Sequence, residues 1–315
     1  MKLLWILFGI AAVLVVLTLL LAYICFRIAF YVPPRKSVKE YPIETPEGEL
    51  YEPYRKSMEK WIREARKMPQ EMVAIQSFDG LTLRGKYFEY APGAPIELMF
   101  HGYRGNAERD LSGGVQRCFK FGRSALIVDQ RCSRDSEGTV ITFGINEHRD
   151  CLSWINYMVE RFGPDVKIIL TGMSMGAATV LTAAGKELPK NVIGVLADCG
   201  YTSAREIIEK VIHQMGLPVK LCYPFVKLGA RIYGHFDLEE TSPVEAMKNC
   251  KVPVIFFHGE SDDFVPCEMS RRNYEACTAR KMLVTVPGAG HGLSYPIDSQ
   301  RYLSALQEFF GTDAR

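Results

Sequence analysis

From about Met72 onward the chain alternates apolar runs of strand length with stretches of helical periodicity, and this rhythm restricts its fold more than any other feature. Val73-Ala74-Ile75 and Leu81-Thr82-Leu83 flank Asp79-Gly80, a hairpin turn signal. Further runs stand at residues 96–100, 125–128, 166–170, 192–196, 252–256 and 282–286, with helical patterns such as 146–161 and 299–310 between them. Strands that read as nearly continuous apolar runs are buried on both faces, as parallel strands joined by crossover helices must be. The expected architecture is therefore α/β, a mostly parallel central sheet flanked by helices. With 315 residues, 48% of them hydrophobic and 23% charged, the chain has the composition of a packed protein and can bury a large core.

Residues 203–249 break the rhythm. They hold a helical piece, AREIIEKVIHQM, then Leu217-Pro218, then an apolar-aromatic stretch containing Leu221, Tyr223, Phe225, Val226 and Tyr233. This is far longer than a crossover between core strands requires, and it reads as an inserted helical cap over the sheet edge.

The N-terminus has a different solvent in view. Residues 3–26 are 24 positions without a charge, about 36 Å of helix, enough to cross a hydrocarbon core of about 30 Å. The run exceeds the length of a signal-peptide core, no small-x-small cleavage pattern follows it, and every face is apolar. It is expected to be an uncleaved single-pass transmembrane helix, with the lipid bilayer as its partner. Arg27, Arg35, Lys36 and Lys39 follow it and only Lys2 precedes it, which places the body in the cytoplasm. Nine cysteines without framework spacing fit a reducing compartment. Residues 27–71 read as a juxtamembrane linker rich in proline, ending in an amphipathic helix over 52–67 that packs on the body. Residues 72–315 form the main domain.

Chemistry enters at Gly172-Met173-Ser174-Met175-Gly176, between the run ending at Leu170 and a small-residue helix. G-x-S-x-G needs its glycines because a strand turning sharply into a helix leaves no room for side chains, and the strained turn holds the serine hydroxyl above the sheet. A hydroxyl is a poor nucleophile at neutral pH, so it requires a base and an acid to orient that base. Of the six histidines, His291 lies in a glycine-rich loop, PGAGHG, after the last strand. His101 and His258 each end a strand as His-Gly, a position suited to a buried, turn-stabilising role. An acidic turn, Glu260-Ser261-Asp262-Asp263, follows the seventh run and supplies a carboxylate near 262. The resulting order, Ser then acid then His, each at a strand's C-terminal end, is that of one nucleophilic constellation.

With these residues in place, the chain from about Met72 onward resembles the α/β-hydrolase fold superfamily, most closely its Bem46-like and prolyl-oligopeptidase-like groups. The resemblance rests on His101-Gly102-Tyr103-Arg104-Gly105-Asn106, Asp129-Gln130-Arg131, GMSMG, HGESDDFVP and GAGHG. It implies an α/β-hydrolase fold, selects Asp262 as the acid, and assigns the oxyanion hole to the backbone N–H groups of Tyr103 and Met175. Relatives usually carry Arg-x-His-Gly-x-Ser-x-Gly after the fourth strand. Here Ser133-Arg134 replaces the His-Gly pair, a change expected to alter the pocket rather than the chemistry.

The function expected is a serine hydrolase working through an acyl-enzyme, with catalytic Ser174, Asp262 and His291. The apolar cap favours a hydrophobic acyl ester as substrate and a carboxylesterase or lipase-like activity. A peptidase of the same fold, or a membrane-anchored binding protein, are the alternatives. Lys and Arg number 38 against 36 Asp and Glu, so there is no basic excess to recruit nucleic acid. Neither metal-ligand spacing nor a phosphate-binding glycine loop is present, and no cofactor is expected.

Overall fold

The computed structural model describes residues 1–34, 38 and 40–311; Arg35, Lys36 and Lys39, three of the charges that orient the N-terminal helix, lie outside them. The antiparallel hairpin of β1 (Glu71–Gln76) and β2 (Thr82–Phe88) turns at Gly80, whose φ of 86° suits a glycine. It leads into β3 (Ile96–Phe100), β4 (Ser124–Asp129), β5 (Ile168–Met173), β6 (Val192–Asp198), β7 (Val254–Gly259) and β8 (Lys281–Val286). These form one eight-stranded sheet in the order β1-β2-β4-β3-β5-β6-β7-β8, parallel from β4 to β8, with β2 antiparallel to β4. The strands fall on the apolar runs of the sequence, β5 and β7 two residues later than their runs begin.

Twelve helical segments complete the chain among the described residues. They are α1 (Lys2–Ala29), a 3-10 helix (Glu49–Tyr54), α2 (Arg55–Lys67), α3 (Ala107–Lys120), α4 (Glu147–Phe162), α5 (Met175–Ala184), α6 (Ala204–Gln214), α7 (Val219–Tyr233), α8 (Pro243–Met247), α9 (Cys267–Ala276), α10 (Ser294–Ile297) and α11 (Ser299–Phe310). Strand periodicity sorts the core onto two faces. Leu98, Phe100, Leu126 and Val128 pack with Trp154 of α4 and Leu181 of α5. Their alternate neighbours Met99, Ala125 and Ile127 pack instead with Leu111 and Val115 of α3 and Ala65 of α2. On that second face the sheet also buries a charge. Glu97 of β3 is held by Arg117 (2.5 Å) and Arg123 (2.7 Å). Burial would raise its carboxyl, but the two guanidiniums prevail and lower it to about 2.

The N-terminal helix departs from the picture of a free leash. Its exposed part, residues 3–21, is about 28 Å long, close to a bilayer core. From Ala22 onward a stripe at helical spacing, Ala22, Phe26 and Phe30, is buried, the two phenylalanines in a cluster with Ile208 of α6 and Val226 and Ala230 of α7. Crossing is closest at Gly229, where a Cβ would overlap the Ala22 carbonyl. Small residues at such a crossing let two backbones approach. The segment read as a cap over the sheet edge is thus the platform on which α1 sits.

Candidate active site

Between β5 and α5 the turn is a single residue, Ser174, at φ 56° and ψ −117°. A non-glycine residue rarely adopts such a backbone unless its surroundings impose it. Both flanking glycines are required: a Cβ on Gly172 would overlap the Gly176 carbonyl, and one on Gly176 would overlap that of Phe100 on β3. The Ser174 amide donates to the Asp198 carbonyl at the end of β6 (2.8 Å), locking the elbow to the neighbouring strand. The hydroxyl is left at the positive end of α5.

His291 reaches it from the loop after β8. Its Nε2 is 2.9 Å from Ser174 Oγ and its Nδ1 is 2.7 Å from Asp262 Oδ2. Asp262, in the loop after β7, is fixed on all sides. Its Oδ1 accepts the Phe264 and Val265 amides at 3.0 and 2.8 Å, and its Oδ2 also lies 3.2 Å from His258 Nε2. Burial pushes the Asp262 carboxyl up, but the imidazoles of His258 and His291 beside it outweigh that and hold the group down at about 2. A permanent carboxylate beside Nδ1 favours the tautomer with its proton there, which leaves Nε2 free to accept the serine proton. The neighbouring Asp263 is exposed, and its backbone carbonyl accepts Gln214 Nε2 at 3.1 Å.

Two amides adjoin the serine. Met175 opens α5, where the first N–H groups have no partner within the helix. Tyr103 follows Gly102, whose added Cβ would stand 3.5 Å from that of Ser174. Among the described residues neither amide has a hydrogen-bond acceptor. The loop carrying Tyr103 is pinned by Asp110, which the sequence left unassigned, and by His101, in the buried, turn-stabilising role expected of it. Asp110 Oδ2 accepts the Gly102 amide (3.0 Å), and buried His101 donates through Nδ1 to the Gly102 carbonyl (2.7 Å) while its Nε2 accepts the Gln130 amide (3.0 Å). Arg134, at φ 49° where the resemblance leads one to expect glycine, turns inward to Asn106 Oδ1 (3.1 Å) and Glu44 (3.2 Å). Ser133 Oγ donates to the Gly105 carbonyl at 2.8 Å. The departure from the family motif therefore builds the wall of this loop.

A cavity of about 220 Å³ opens at Ser174 and His291. Its cover is the segment before β1: Pro46 and Tyr51, with Met58 and Trp61 of α2. Tyr51 donates to the His291 carbonyl (3.1 Å), its own proton retained because burial raises its pKa to about 12. Leu50 abuts Gly290, and Trp61 packs against Tyr295 at 5.7 Å between ring centres. Among the described residues, none of α6 or α7 lines the cavity. The expected covering role has gone to the amphipathic segment, because the apolar face of α6 and α7 is spent on α1. Only long-range pairing decides this, and no periodicity reports it. His258 had a weak signal, since a His-Gly strand end suggests burial; Tyr51 and Asp110 had none.

Cys199, just after β6 at φ 47°, brings a thiol within 4.8 Å of the donor atoms of Asp262 and His291. Burial raises the pKa of that thiol well above the ordinary value.

The geometry has counterparts in known proteins. Residues 142–314, more than half the chain and including Ser174, Asp262 and His291, match the prolyl oligopeptidase family. The chain is 26% identical to the Bacillus subtilis protein YqkD over 243 residues, 77% of this chain and 79% of that one. It is 24% identical to protein bem46 of Schizosaccharomyces pombe over 232 residues, 71% of each. In structure it is similar to the esterase Pf2001 of Pyrococcus furiosus, with a TM-score of 0.64, 19% identity, and coverage of 89% of this chain and 97% of that one. A strand order, a serine elbow and a family match thus converge, and the chain belongs to the prolyl oligopeptidase family, a hydrolase of the α/β-hydrolase fold.

Proposed function

We propose that this protein is a membrane-anchored serine esterase in which Ser174 is the nucleophile, His291 the general base and Asp262 the group that orients it. The observation that carries this reading is the unbroken hydrogen-bonded series from Ser174 Oγ through His291 to Asp262, ending on a carboxylate that stays ionised. His291 Nε2 takes the Ser174 proton as Oγ bonds to the ester carbonyl carbon, and Asp262 stabilises the imidazolium that forms. Negative charge gathering on the carbonyl oxygen is met by the Met175 and Tyr103 amides, each worth about 10²–10³ in rate. His291 then protonates the departing alcohol, and a water deprotonated at Nε2 releases the acid and restores Ser174.

The substrate class follows from the cavity. At about 220 Å³, with Met58, Trp61, Met99 and Tyr295 in its wall, it suits a small hydrophobic acyl group better than an extended chain. The family match favours a second reading, cleavage of peptide bonds. Full-length protein in detergent, assayed on p-nitrophenyl esters of graded acyl length and on aminoacyl anilides, separates the two. Esterase activity with a short-acyl optimum supports the proposal; faster anilide cleavage replaces it with the peptidase.

The anchor is the exposed part of α1, and the charges flanking it favour a cytoplasmic body. All nine cysteines are unpaired, which suits that side. Protease added to intact cells leaves a cytoplasmic body whole, and digestion of the body with a cytoplasmic marker spared reverses the orientation.

A further inference from the structure

The last four carbonyls of a helix lack intrahelical donors and must be satisfied from elsewhere. At the end of α1 two of them are met by consecutive residues of the loop beside Ser174. Tyr103 Oη donates to the Ala29 carbonyl at 2.7 Å, and Arg104 Nη2 donates to that of Ile28 at 2.9 Å and reaches Tyr31 at 3.3 Å. Arg104 adopts φ 51° to do so. The Tyr103 ring is 4.9 Å from that of Phe143, which in turn stands 5.8 Å from Phe30. Beyond the helix the chain is zipped to the body, Val32 donating to Thr139 (2.8 Å) and Ile141 to Phe30 (2.9 Å). On its other side α1 is seated on α7 at Gly229, and Tyr233 Oη donates to the Leu19 carbonyl at 3.1 Å.

We propose that α1 is a positioning element of the active site: by binding Tyr103 and Arg104 it fixes the loop that presents the Tyr103 amide, so the seating of the N-terminal helix governs oxyanion stabilisation. This rests on the reading of Ser174 as nucleophile and of Tyr103 N–H as an oxyanion donor. Asp110 and His101 hold the loop at Gly102, on the strand side of the donor. On the far side Ser133 holds the Gly105 carbonyl, and between the two the Tyr103 and Arg104 side chains themselves are held by hydrogen bonds to α1. Without the hydrogen bonds to α1 these two residues are held only at the ends of the loop and by the Phe143 ring, and a displacement of about 1 Å in a catalytic group costs up to about 10² in rate. The hydrolase body is therefore not separable from its anchor without a catalytic consequence.

The test uses full-length protein in nanodiscs, with an aryl ester and the matching thionoester, in which C=S replaces C=O. Sulfur is a weak acceptor, so thionoester turnover draws little on oxyanion donors. Tyr103→Phe removes the bond to Ala29 and keeps the ring and the amide; Gly229→Leu wedges α1 off α7. Each variant is expected to lose about tenfold in kcat on the oxygen ester, less than the ~10²–10³ of a deleted donor. KM should change less than twofold, thionoester turnover should hold, and the double variant should fall no further than the worse single one. Equal losses on both esters, or full activity in both variants, overturn the proposal while fluorophosphonate labelling of Ser174 shows that the nucleophile reading stands. Wild-type protein that is neither active nor labelled overturns both.

Discussion

Replacing Asp262 by Asn alters one atom, and the surroundings of that atom set the outcome. The carboxylate accepts three hydrogen bonds, Phe264 N–H and Val265 N–H on Oδ1 and His291 Nδ1 on Oδ2, while His258 Nε2, bonded to the Val265 carbonyl, stands 3.2 Å from Oδ2. An amide offers one oxygen and one NH₂. With its oxygen kept on the backbone amides, the NH₂ faces Nδ1 of His291, which must then give up its proton and become an acceptor. The proton moves to Nε2, where it points at Ser174 Oγ and the base is lost. With the amide flipped, the NH₂ confronts two backbone donors, and two buried hydrogen bonds disappear at about 1–3 kcal/mol each. The first arrangement costs less to the fold and more to the reaction. We predict a fall in kcat of about 10⁴, as tautomer loss produces in other triads, or about 5.4 kcal/mol at 1.36 kcal/mol per tenfold. Stopped assays on an aryl ester measure it, with circular dichroism as a check on folding. Asp263→Asn, whose side chain is exposed and away from His291, should stay within about threefold of wild type. A loss below tenfold at 262, or a larger loss at 263, refutes the assignment.

Other expectations follow from the same geometry. The Asp262 pKa is lowered to about 2, against about 3.9 in the unfolded chain. Its contribution to stability is therefore complete above pH 4 and is lost as pH falls toward 2, so in denaturant titrations wild type should lose stability relative to Asp262→Asn between pH 4 and 2; a difference that stays constant over that range contradicts this. Trp61→Ala opens the cover of the cavity and should move the optimum acyl length upward on the graded ester series, whereas Leu221→Ala on α7, which does not line it, should leave the profile unchanged. Glu97→Ala strands two buried guanidiniums and should destabilise the protein by about 3–5 kcal/mol in denaturant titration; a loss under 1 kcal/mol shows the pair to be dispensable.

Much of this structure was readable from local sequence pattern. Period and turn residues placed all eight strands and the hairpin at Gly80, because buried parallel strands must be apolar throughout. The elbow was readable because only glycine fits at 172 and 176, and Asp262 was singled out by the resemblance to HGxxDxxVP proteins rather than by the acidic run itself. What escaped was the choice of partner for each apolar face. Residues 203–249 look like a lid by composition, and Tyr51 and Trp61 look like the end of a linker and a helix packed on the body, yet it is the latter pair that covers the cavity. Ala22, Phe26 and Phe30 are indistinguishable from the rest of an apolar helix until α7 offers Gly229 against them. The donor Tyr103 Oη and the acceptor Asp110 likewise gain their roles only from contacts that sequence spacing does not record.

The central claim is that Ser174, raised by its strained turn and served by His291, attacks substrate covalently. A fluorophosphonate reacts with such a hydroxyl and displaces fluoride, leaving a mass tag on the nucleophile. Intact mass and peptide mapping of the treated full-length protein should show one adduct, on the peptide containing Ser174, with none on Ser174→Ala and a much slower reaction for His291→Ala. An adduct that persists in Ser174→Ala, or a wild-type protein that hydrolyses esters without ever being labelled, contradicts the account.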